Sequence, residues 1–577
     1  MSAANTLLGP DSPLRRELPD YAPREQQLIM AEAVGEALDR QESLVIEAGT
    51  GTGKTFAYLI PAMTCGRKTI LSTGTRALQD QLFHRDIPAL SAALGQPITI
   101  ALLKGRSNYL CHYRLSTARQ SKQAARFAAE LTRIERWSTR TRSGDKREVT
   151  DVPENSPVWP HVTSTVDNCL GQKCDFYDKC LVAKARRRAQ NADLVVVNHH
   201  LLLADLAMKE SGFDQFLPGA SAFIIDEAHQ LPDIAGMFFG VRLSTRALAS
   251  LLDDIQVPAQ ALGGAPLLQA LEAVRTLNLQ LREAAPRQQG RYEYRQLVAS
   301  LESLLSQLHS ALADLYERLQ PLSESSPALE NAHLRLYERL NELSQFSDLG
   351  SVEGLRWIDV NKQSISFNLT PLDTSSILGK MIAARDASWV LTSATLAVGE
   401  DFSHFTSRSG LDDARCVKLG SPYDLANRSM VYLPKQMPAP SSQHYTSDLM
   451  EAVSPLLGLT RGGVFVLFTS HRALRAAADW VASRPDHLSG RPLLVQGEAP
   501  RDDILKRFRA AGNAVLLATG TFWEGVDVRG SALTMVVIDK LPFTSPGDPL
   551  LMARLEYLKR RGENGFMKHQ MPQAVLA

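Results

Sequence analysis

The chain has 577 residues, with 63 Lys and Arg against 62 Asp and Glu and with 44% apolar residues. This composition excludes a disordered or collagen-like chain, and six cysteines are too few for a disulfide framework. No apolar run approaches the roughly 20 residues that span a bilayer, and the N-terminus lacks the apolar core of an export signal. We therefore expect a cytoplasmic protein of about three to four domains with no membrane partner.

The first strong signal is the string SLVIEAGTGTGKTFAYLIPA, which predicts a strand, a glycine-rich turn and a helix. Its turn matches the phosphate-loop pattern, in which backbone N–H groups point at phosphate oxygens and the helix N-terminus adds positive charge. The lysine would reach the β and γ phosphates, and the last threonine would bind Mg²⁺. The predicted nucleotide-binding residues are Ala48, Gly49, Thr50, Gly51, Thr52, Gly53, Lys54 and Thr55.

A basic segment follows within this neutral chain. Residues 101–190 hold 18 Lys and Arg against 9 Asp and Glu. Such a charge excess is found on the solvated face of a helical insert and also on surfaces that follow a phosphate backbone. Both interpretations remain open at this point.

Four of the six cysteines concentrate in the same segment, with the spacing C-x57-C-x4-C-x5-C. Clustered soft ligands indicate a metal site, and four thiolates can hold either Zn²⁺ or a [4Fe–4S] cluster. The spacing lacks the two short knuckles of a zinc ribbon. Residues 106–184 are poor in apolar periodicity, so we expect a metal group to supply stability there. The predicted metal ligands are Cys111, Cys169, Cys174 and Cys180.

A buried strand that ends in acidic residues appears in the string AFIIDEAHQLP. Asp226 is the candidate Mg²⁺-side carboxylate, and Glu227 is the candidate activator of the attacking water. His229 is a candidate sensor of the γ-phosphate. Together with the phosphate loop, these residues predict hydrolysis of a nucleoside triphosphate.

No catalytic string appears between residues 238 and 350, where leucines recur at helical spacing. We interpret this stripe as the core of an all-helical bundle. Its members are Leu301, Leu304, Leu305, Leu308, Leu312, Leu315 and Leu319.

Several further strings resemble motifs of superfamily 2 helicases, among them KTILSTGTRALQDQL, VLTSATL, GVFVLFTSHRALR and LLATGTFWEGVDVRG. More narrowly, the chain resembles the bacterial DinG/YoaA branch of the XPD-like iron–sulfur DNA helicases. The strings that carry this resemblance are LLKGRSNYLC, VVVNHHLLLAD, IIDEAHQLPDIA, SPYD, FWEGVDVRG and IDKLPFTSPGDPLL.

The resemblance implies an α/β fold with two RecA-like P-loop domains, and with an iron–sulfur insert and a helical, Arch-like insert in the first. It implies a [4Fe–4S] cluster on the four cysteines, with ATP and Mg²⁺ as further cofactors. Arg24 and Gln27 would contact adenine, and Gly525 and Asp527 would face the nucleotide from the second domain. The implied boundaries are motor domain 1 at 1–105, 185–237 and 351–397, the iron–sulfur domain at 106–184, the Arch-like insert at 238–350, and motor domain 2 at 398–577.

By resemblance, the chain is expected to be a monomeric ATP-dependent DNA helicase that moves 5′ to 3′ on single-stranded DNA. Forked DNA and a replication or repair protein are the expected partners, with a role in DNA repair or replication restart. Members of this family carry a final Q-x-x-G-R-x-x-R string whose arginines reach the γ-phosphate, and no segment of these 577 residues fits it. The expectation is therefore a truncated second domain. The alternative is an ATP-dependent DNA-binding or remodelling module without unwinding activity.

Overall fold

A computed structural model describes residues 3–10, 12–17, 21–120, 125–210, 216–262, 264–348, 354–523, 526, 528 and 530–576. The chain divides into two compact units. The first contains residues 1–423 and 546–565, and the second contains residues 424–545 and 566–577.

The strands within the described ranges are numbered in chain order. They are β1 (Ser43–Ala48), β2 (Thr69–Thr73), β3 (Ile100–Leu102), β4 (Leu194–Asn198), β5 (Ala222–Asp226), β6 (Val241–Ser244), β7 (Gly290–Glu293), β8 (Leu355–Val360), β9 (Ile365–Thr370), β10 (Ser388–Ser393), β11 (Arg415–Leu419), β12 (Gly463–Leu467), β13 (Leu493–Val495), β14 (Val515–Ala518) and β15 (Leu533–Ile538).

The α-helices are numbered in the same way. They are α1 (Ala3–Leu8), α2 (Leu14–Glu17), α3 (Glu25–Arg40), α4 (Lys54–Thr64), α5 (Arg76–Gln81), α6 (Ile87–Leu94), α7 (His112–Gln120), α8 (Ala128–Ser138), α9 (Trp159–Val162), α10 (Leu181–Asn191), α11 (His199–Glu210), α12 (Leu231–Phe238), α13 (Thr245–Leu262), α14 (Ala265–Ala284), α15 (Val298–Leu319), α16 (Pro327–Ser347), α17 (Ser375–Ala383), α18 (Ser403–Ser409), α19 (Leu425–Arg428), α20 (Tyr445–Leu457), α21 (His471–Ala482), α22 (Arg501–Ala511), α23 (Pro549–Arg560) and α24 (Met571–Leu576).

The centre of the first unit is a seven-stranded parallel sheet with the order β11-β1-β10-β5-β2-β4-β3. Its central strands β2, β5 and β10 are buried along their whole length, although β2 (TILST) and β10 (SWVLTS) carry hydroxyl residues beside the apolar ones. Parallel sheets require this burial because helices cover both faces. In such sheets the functional loops follow the carboxyl ends of the strands, and here the phosphate loop and Asp226 follow or end β1 and β5.

The first parallel sheet continues past residue 398, where the sequence predicted that motor domain 2 begins. Strand β11 pairs with β1, so the chain is still part of the first sheet at Leu419. Residues 546–565 also belong to the first unit, where Asp548 accepts a hydrogen bond from Arg291 at 2.9 Å. Contacts between residues so distant in sequence leave no local signal at the boundary.

The leucine stripe predicts helix α15 correctly. Six of its leucines are buried in a core shared with α13, α14 and α16, and Leu304 packs at the margin of that core. The all-helical interpretation was wrong, because β6 and β7 lie inside residues 238–350 and join β8 and β9 in an antiparallel sheet of order β6-β9-β8-β7. Two four-residue strands are too short for a clear alternating pattern.

The basic insert has a small apolar core. Ile134, Val158 and Val162 are fully buried there, and Trp159 is nearly so. The sequence pattern did not predict this core, because its residues are scattered over short helices and loops and follow no single period.

The second unit contains a four-stranded parallel sheet of order β13-β14-β12-β15. Strands β12 and β14 are buried throughout. Strand β15 lies at the edge, and its side chains Val536 and Ile538 are about half exposed. Among the helices within the described ranges, none is both long and apolar enough to cross a membrane.

Candidate active site

The phosphate loop joins β1 to α4 and takes the conformation that its glycines allow. Gly51 and Gly53 have φ angles of 79° and 83°, a region that residues with a Cβ atom rarely adopt. The Thr52 hydroxyl donates to the Gly49 carbonyl at 2.6 Å and closes the turn. A Cβ atom at Gly53 would collide with the Gln27 amide, so the loop also needs glycine for close packing.

Gln27, predicted to contact adenine, lies directly against this loop. Its Nε2 atom donates to the Gly53 carbonyl at 2.9 Å, and Arg24 precedes the first residue of the same helix. The Tyr21 hydroxyl lies 3.0 Å from Gln27 Oε1, and burial raises the pKa of Tyr21 to about 12. Tyr21 therefore fixes which edge of the Gln27 amide faces the loop. Sequence reasoning missed Tyr21, although its place shortly before Gln27 was a usable signal.

Asp226, the predicted Mg²⁺-side acid, is buried at the end of β5 and held by the helix that follows the phosphate loop. The Tyr58 hydroxyl donates to Asp226 Oδ2 at 2.9 Å. Burial, with repulsion from Glu227, raises the pKa of Asp226, while Lys54 and Tyr58 act in the opposite direction. Tyr58 is fully buried. Lys54, Asp226 and Tyr58 thus form one electrostatic group, of which Tyr58 was not predicted.

Glu227 and His229 meet through a serine at the end of β10. Ser393 Oγ lies 2.8 Å from His229 Nδ1 and donates to Glu227 Oε2 at 3.2 Å. Glu227 has a φ of 54°, a left-handed conformation that a non-glycine residue adopts only when its surroundings impose it. The structure therefore brings the two predicted catalytic side chains together, with Ser393 of the VLTSATL string between them.

A second link joins the phosphate-loop strand to this string. Glu47 is buried immediately before Ala48, and its Oε2 atom accepts hydrogen bonds from the backbone N–H groups of Leu396 and Ala397 at 2.5 and 2.7 Å. Sequence reasoning missed Glu47. Its signal was an acid that interrupts the apolar run of a buried strand, where charges need partners.

The SPYD string also reaches the phosphate loop. The Tyr423 ring lies against Gly51, where a Cβ atom would overlap it. Tyr423 is 48% exposed, so its ring covers the loop from the solvent side. Gly525 and Asp527, predicted to face the nucleotide from the second domain, lie outside the described residues.

The four predicted metal-binding cysteines belong to the first unit and carry free thiols. Burial, together with the charges of the other three thiols, raises the pKa of Cys111 to about 11, so Cys111 lies within electrostatic range of the other three. Arg106 Nη1 lies 2.8 Å from Cys169 Sγ. Among the residues that the structure describes, no three His, Cys, Asp or Glu side chains are close enough together to hold a single metal ion.

A cavity of about 480 Å³ lies between the parallel sheet and the cysteine-containing insert. Arg106 and Arg186 stack on Phe216, with their guanidinium carbons 5.0 and 4.1 Å from the ring centre. Arg106 Nε and Arg186 Nη2 are buried and have no hydrogen-bond partner among the described residues. Burial, followed by the charge of Arg106, lowers the pKa of Arg186 to about 10. The wall also contains Gly74, Lys104, Asn108, Asn198 and His200.

The parallel sheet, the phosphate loop and the paired acids define the class of P-loop helicase motors. Family comparison agrees at both ends of the chain. Residues 26–117 match the DEAD/DEAH box helicase family, and residues 453–577 match the helicase C-terminal domain.

Curated relatives define the family more narrowly. The chain is 41% identical to "ATP-dependent DNA helicase YoaA" of Haemophilus influenzae, over 98% of this chain and 88% of that protein. It is 40% identical to the Escherichia coli protein of the same name, over 98% of this chain and 90% of that one. It is 31% identical to "ATP-dependent helicase DinG" of Mycobacterium tuberculosis, over 96% of this chain and 86% of that one. The chain therefore belongs to the DinG/YoaA family of ATP-dependent, XPD-like superfamily 2 helicases.

Solved structures support the fold. The S. tokodaii Xpd4 structure gives a TM-score of 0.54 at 15% identity, covering 96% of this chain and 91% of that one. A structure titled "XPD_Helicase" gives a TM-score of 0.52 at 15% identity, covering 96% of this chain and 93% of that one. The expected XPD-like α/β architecture is confirmed.

Proposed function

We propose that this protein is an ATP-dependent DNA helicase that moves 5′ to 3′ along single-stranded DNA and acts in DNA repair or replication restart. The observation that carries the proposal is the linked group at the carboxyl edge of the sheet. Asp226 is bonded to Tyr58, and Glu227 and His229 are bonded to Ser393. Two carboxylates that hydrogen bonds hold in place in this way suit a metal-assisted attack of water on a γ-phosphate.

Each member of this group has a distinct task in hydrolysis. Lys54 would neutralise charge on the β and γ phosphates, and Thr55 and Asp226 would hold Mg²⁺, whose charge would offset that of the phosphates. Glu227 would accept a proton from the attacking water. His229, which contacts both Glu227 and Ser393, would report loss of the γ-phosphate to the β10 loop.

The cavity between the sheet and the basic insert supports a nucleic-acid substrate. Arg106 and Arg186 line its wall, and each has one buried N–H group without a partner among the described residues, whereas Lys104 is already paired with Asp80 and Asp145. Buried N–H groups without partners are costly, and a phosphate would compensate them. Contacts of this kind do not distinguish bases, so binding would be independent of sequence and sensitive to salt.

We also propose that the four thiols hold a [4Fe–4S] cluster rather than zinc. A tetrahedral zinc ion, with a Zn–S distance of about 2.3 Å, would draw its thiolates to about 3.8 Å from one another. A cluster binds each thiolate to a different iron atom and so accepts a more open set. The cysteine spacing lacks the two short knuckles of a zinc ribbon, and the resemblance to the XPD-like iron–sulfur helicases favours the cluster. Its role would be to stabilise the insert.

The test is strand displacement by anaerobically purified protein on forked duplexes with a single 5′ or 3′ tail, with ATP hydrolysis measured in parallel. Lys54→Ala should abolish both activities. Lys362→Ala is the matched control because Lys362 is exposed on the loop between β8 and β9. ATP-dependent separation of only the 5′-tailed substrate supports the proposal.

Other outcomes would contradict parts of it. Separation of only the 3′-tailed substrate would overturn the direction of movement. DNA-stimulated hydrolysis without separation of either substrate would favour the alternative, a DNA-binding or remodelling module that does not unwind. Hydrolysis that persists in Lys54→Ala would show that the assigned site is not the motor.

A further inference from the structure

A buried histidine connects three neighbouring strands at the carboxyl edge of the first sheet. His199 is the first residue of α11, directly after β4, and its side chain is fully buried. Its Nδ1 atom lies 2.7 Å from the hydroxyl of Ser72 on β2. On its other side are the backbone carbonyl groups of Asp226 and Glu227 at the end of β5. Since β2 lies between β4 and β5, His199 reaches across the middle strand.

The hydrogen-bonding state of this ring follows from its surroundings. Carbonyl oxygens near Nε2 would repel a lone pair, which places the proton on Nε2 and makes Nδ1 the acceptor from Ser72. Nε2 is buried and makes no hydrogen bond of standard geometry to any described residue. A small shift of the β5 turn would complete that bond.

A second contact joins the same two regions. Gln230, four residues after Asp226, places its side chain against Gly74, where a Cβ atom would overlap the amide. Gly74 directly follows β2, in the string KTILSTGTRALQDQL that resembles a superfamily 2 helicase motif, and it lines the same cavity as Arg106 and Arg186. The turn after β5, which holds Asp226 and Glu227, therefore has two contacts with this string. His199 connects the turn to Ser72 in the strand, and Gln230 lies against Gly74 in the loop.

We infer that His199 is a positioning residue that couples DNA binding at the loop after β2 to the backbone of Asp226 and Glu227. The inference rests on the proposed function and adds a route by which bound DNA would affect ATP hydrolysis. DNA held at the Gly74 loop would fix β2, and Ser72 would fix the His199 ring. A hydrogen bond from Nε2 to the β5 turn would then restrain Glu227 in the left-handed conformation that it already has, with its carboxylate aimed at the water.

The test compares the ATP hydrolysis rate with saturating single-stranded DNA to the rate without DNA. In His199→Asn, the amide retains an acceptor near the Nδ1 position but loses the Nε2 donor. We expect the DNA-stimulated rate to fall about tenfold, as for one lost buried hydrogen bond, with the affinity for a fluorescent oligonucleotide preserved. His199→Gln, whose amide reaches the Nε2 position, should recover part of the stimulation.

Ser72→Ala provides a second, smaller perturbation at the other end of the bond. Ser72→Ala should also lower the stimulation of ATP hydrolysis by DNA. The stimulation in the double variant should be no lower than in His199→Asn alone. His309→Asn is the matched control, because His309 also bonds to a serine hydroxyl, that of Ser344 at 3.0 Å, on the helical insert. In His309→Asn, DNA should stimulate ATP hydrolysis as much as it does in the wild type.

An unchanged ratio of the two rates in both His199→Asn and Ser72→Ala would overturn the inference. The same ratio with both rates lowered by one factor would indicate a purely structural role. If His199→Asn does not fold, Ser72→Ala decides alone. A wild-type protein whose hydrolysis does not respond to DNA would instead contradict the proposed function, and the coupling would fail with it.

Discussion

The nucleotide site and the four-thiol site of the first unit differ in how far the polypeptide alone builds them. In the nucleotide site, the reactive carboxylates already have protein partners, with Tyr58 on Asp226 and Ser393 on Glu227. In the thiol site, the side chains are near one another, yet no described group of three is close enough for a single metal ion. The first site is closed by hydrogen bonds, and we propose that the second depends on a bound metal group.

The difference has a physical cause. A carboxylate buried beside a phosphate loop must be held in one orientation before the substrate arrives, because electrostatic catalysis depends on prepared dipoles. Thiols repel one another as thiolates and form only weak hydrogen bonds when protonated, so a bound metal group is needed to hold them in place. Four predictions sharpen this comparison.

The largest effect is expected at the prepared carboxylate. Glu227→Gln keeps the shape of the side chain but removes the base, so turnover should fall by about 10² to 10⁴ while nucleotide binding persists. Hydrolysis rates and binding of a fluorescent ATP analogue would be measured together. Glu324→Gln, at an exposed position of the helical insert, is the control. Turnover within a factor of two in Glu227→Gln would show that another group activates the water.

A change in the thiol site should affect the insert but not the phosphate loop. In Cys169→Ser we expect the iron content to fall from about four atoms per chain toward zero, together with a lower melting temperature. Binding of the ATP analogue should persist, because the Lys54 site is built from other elements. Cys65→Ser is the control for a cysteine outside the group. Unchanged metal content in Cys169→Ser would contradict the assigned ligand set.

A subtler change at the nucleotide site removes one hydrogen bond. Tyr58→Phe leaves Asp226 without its donor at a cost of about 1 kcal/mol, which should weaken Mg²⁺-dependent turnover by up to about tenfold. Titration of Mg²⁺ at saturating ATP would separate a metal effect from a general loss of activity. Tyr292→Phe removes a hydroxyl that bonds the Gln288 carbonyl on the surface, and it should change nothing. Equal behaviour of the two variants would sink the assigned role.

The smallest effect concerns thiol reactivity in metal-free protein. A pKa raised to about 11 means that Cys111 is protonated at neutral pH, and thiolate forms only as the pH rises. Its alkylation rate should therefore increase about tenfold per pH unit from pH 8 towards 11. Mass spectrometry of iodoacetamide-treated protein would measure this rate, with exposed Cys416 as the comparison. A rate that levels off below pH 9 would contradict the buried, mutually repelling arrangement.

The sequence was most informative where function resides in a contiguous string. The phosphate loop, the DEAH string and the leucine stripe each carry their own period or spacing, and the structure places the corresponding elements where those patterns predict them. The two strands inside the helical insert were missed because four residues are too few to establish a period. The ligand role of the cysteines, the domain limits and the predicted truncation remain predictions.

Tertiary structure alone decided which side chains support the catalytic residues. Tyr58 and Asp226 are 168 positions apart, and Glu47 and Ala397 are 350 apart, so no local pattern links them. His199 reaches Ser72 and the β5 turn only because the sheet order is β5-β2-β4, which differs from chain order. Local sequence determines strands, turns and reactive groups through backbone sterics and periodicity. Partners across a sheet are determined by strand order, which emerges only when the whole core packs.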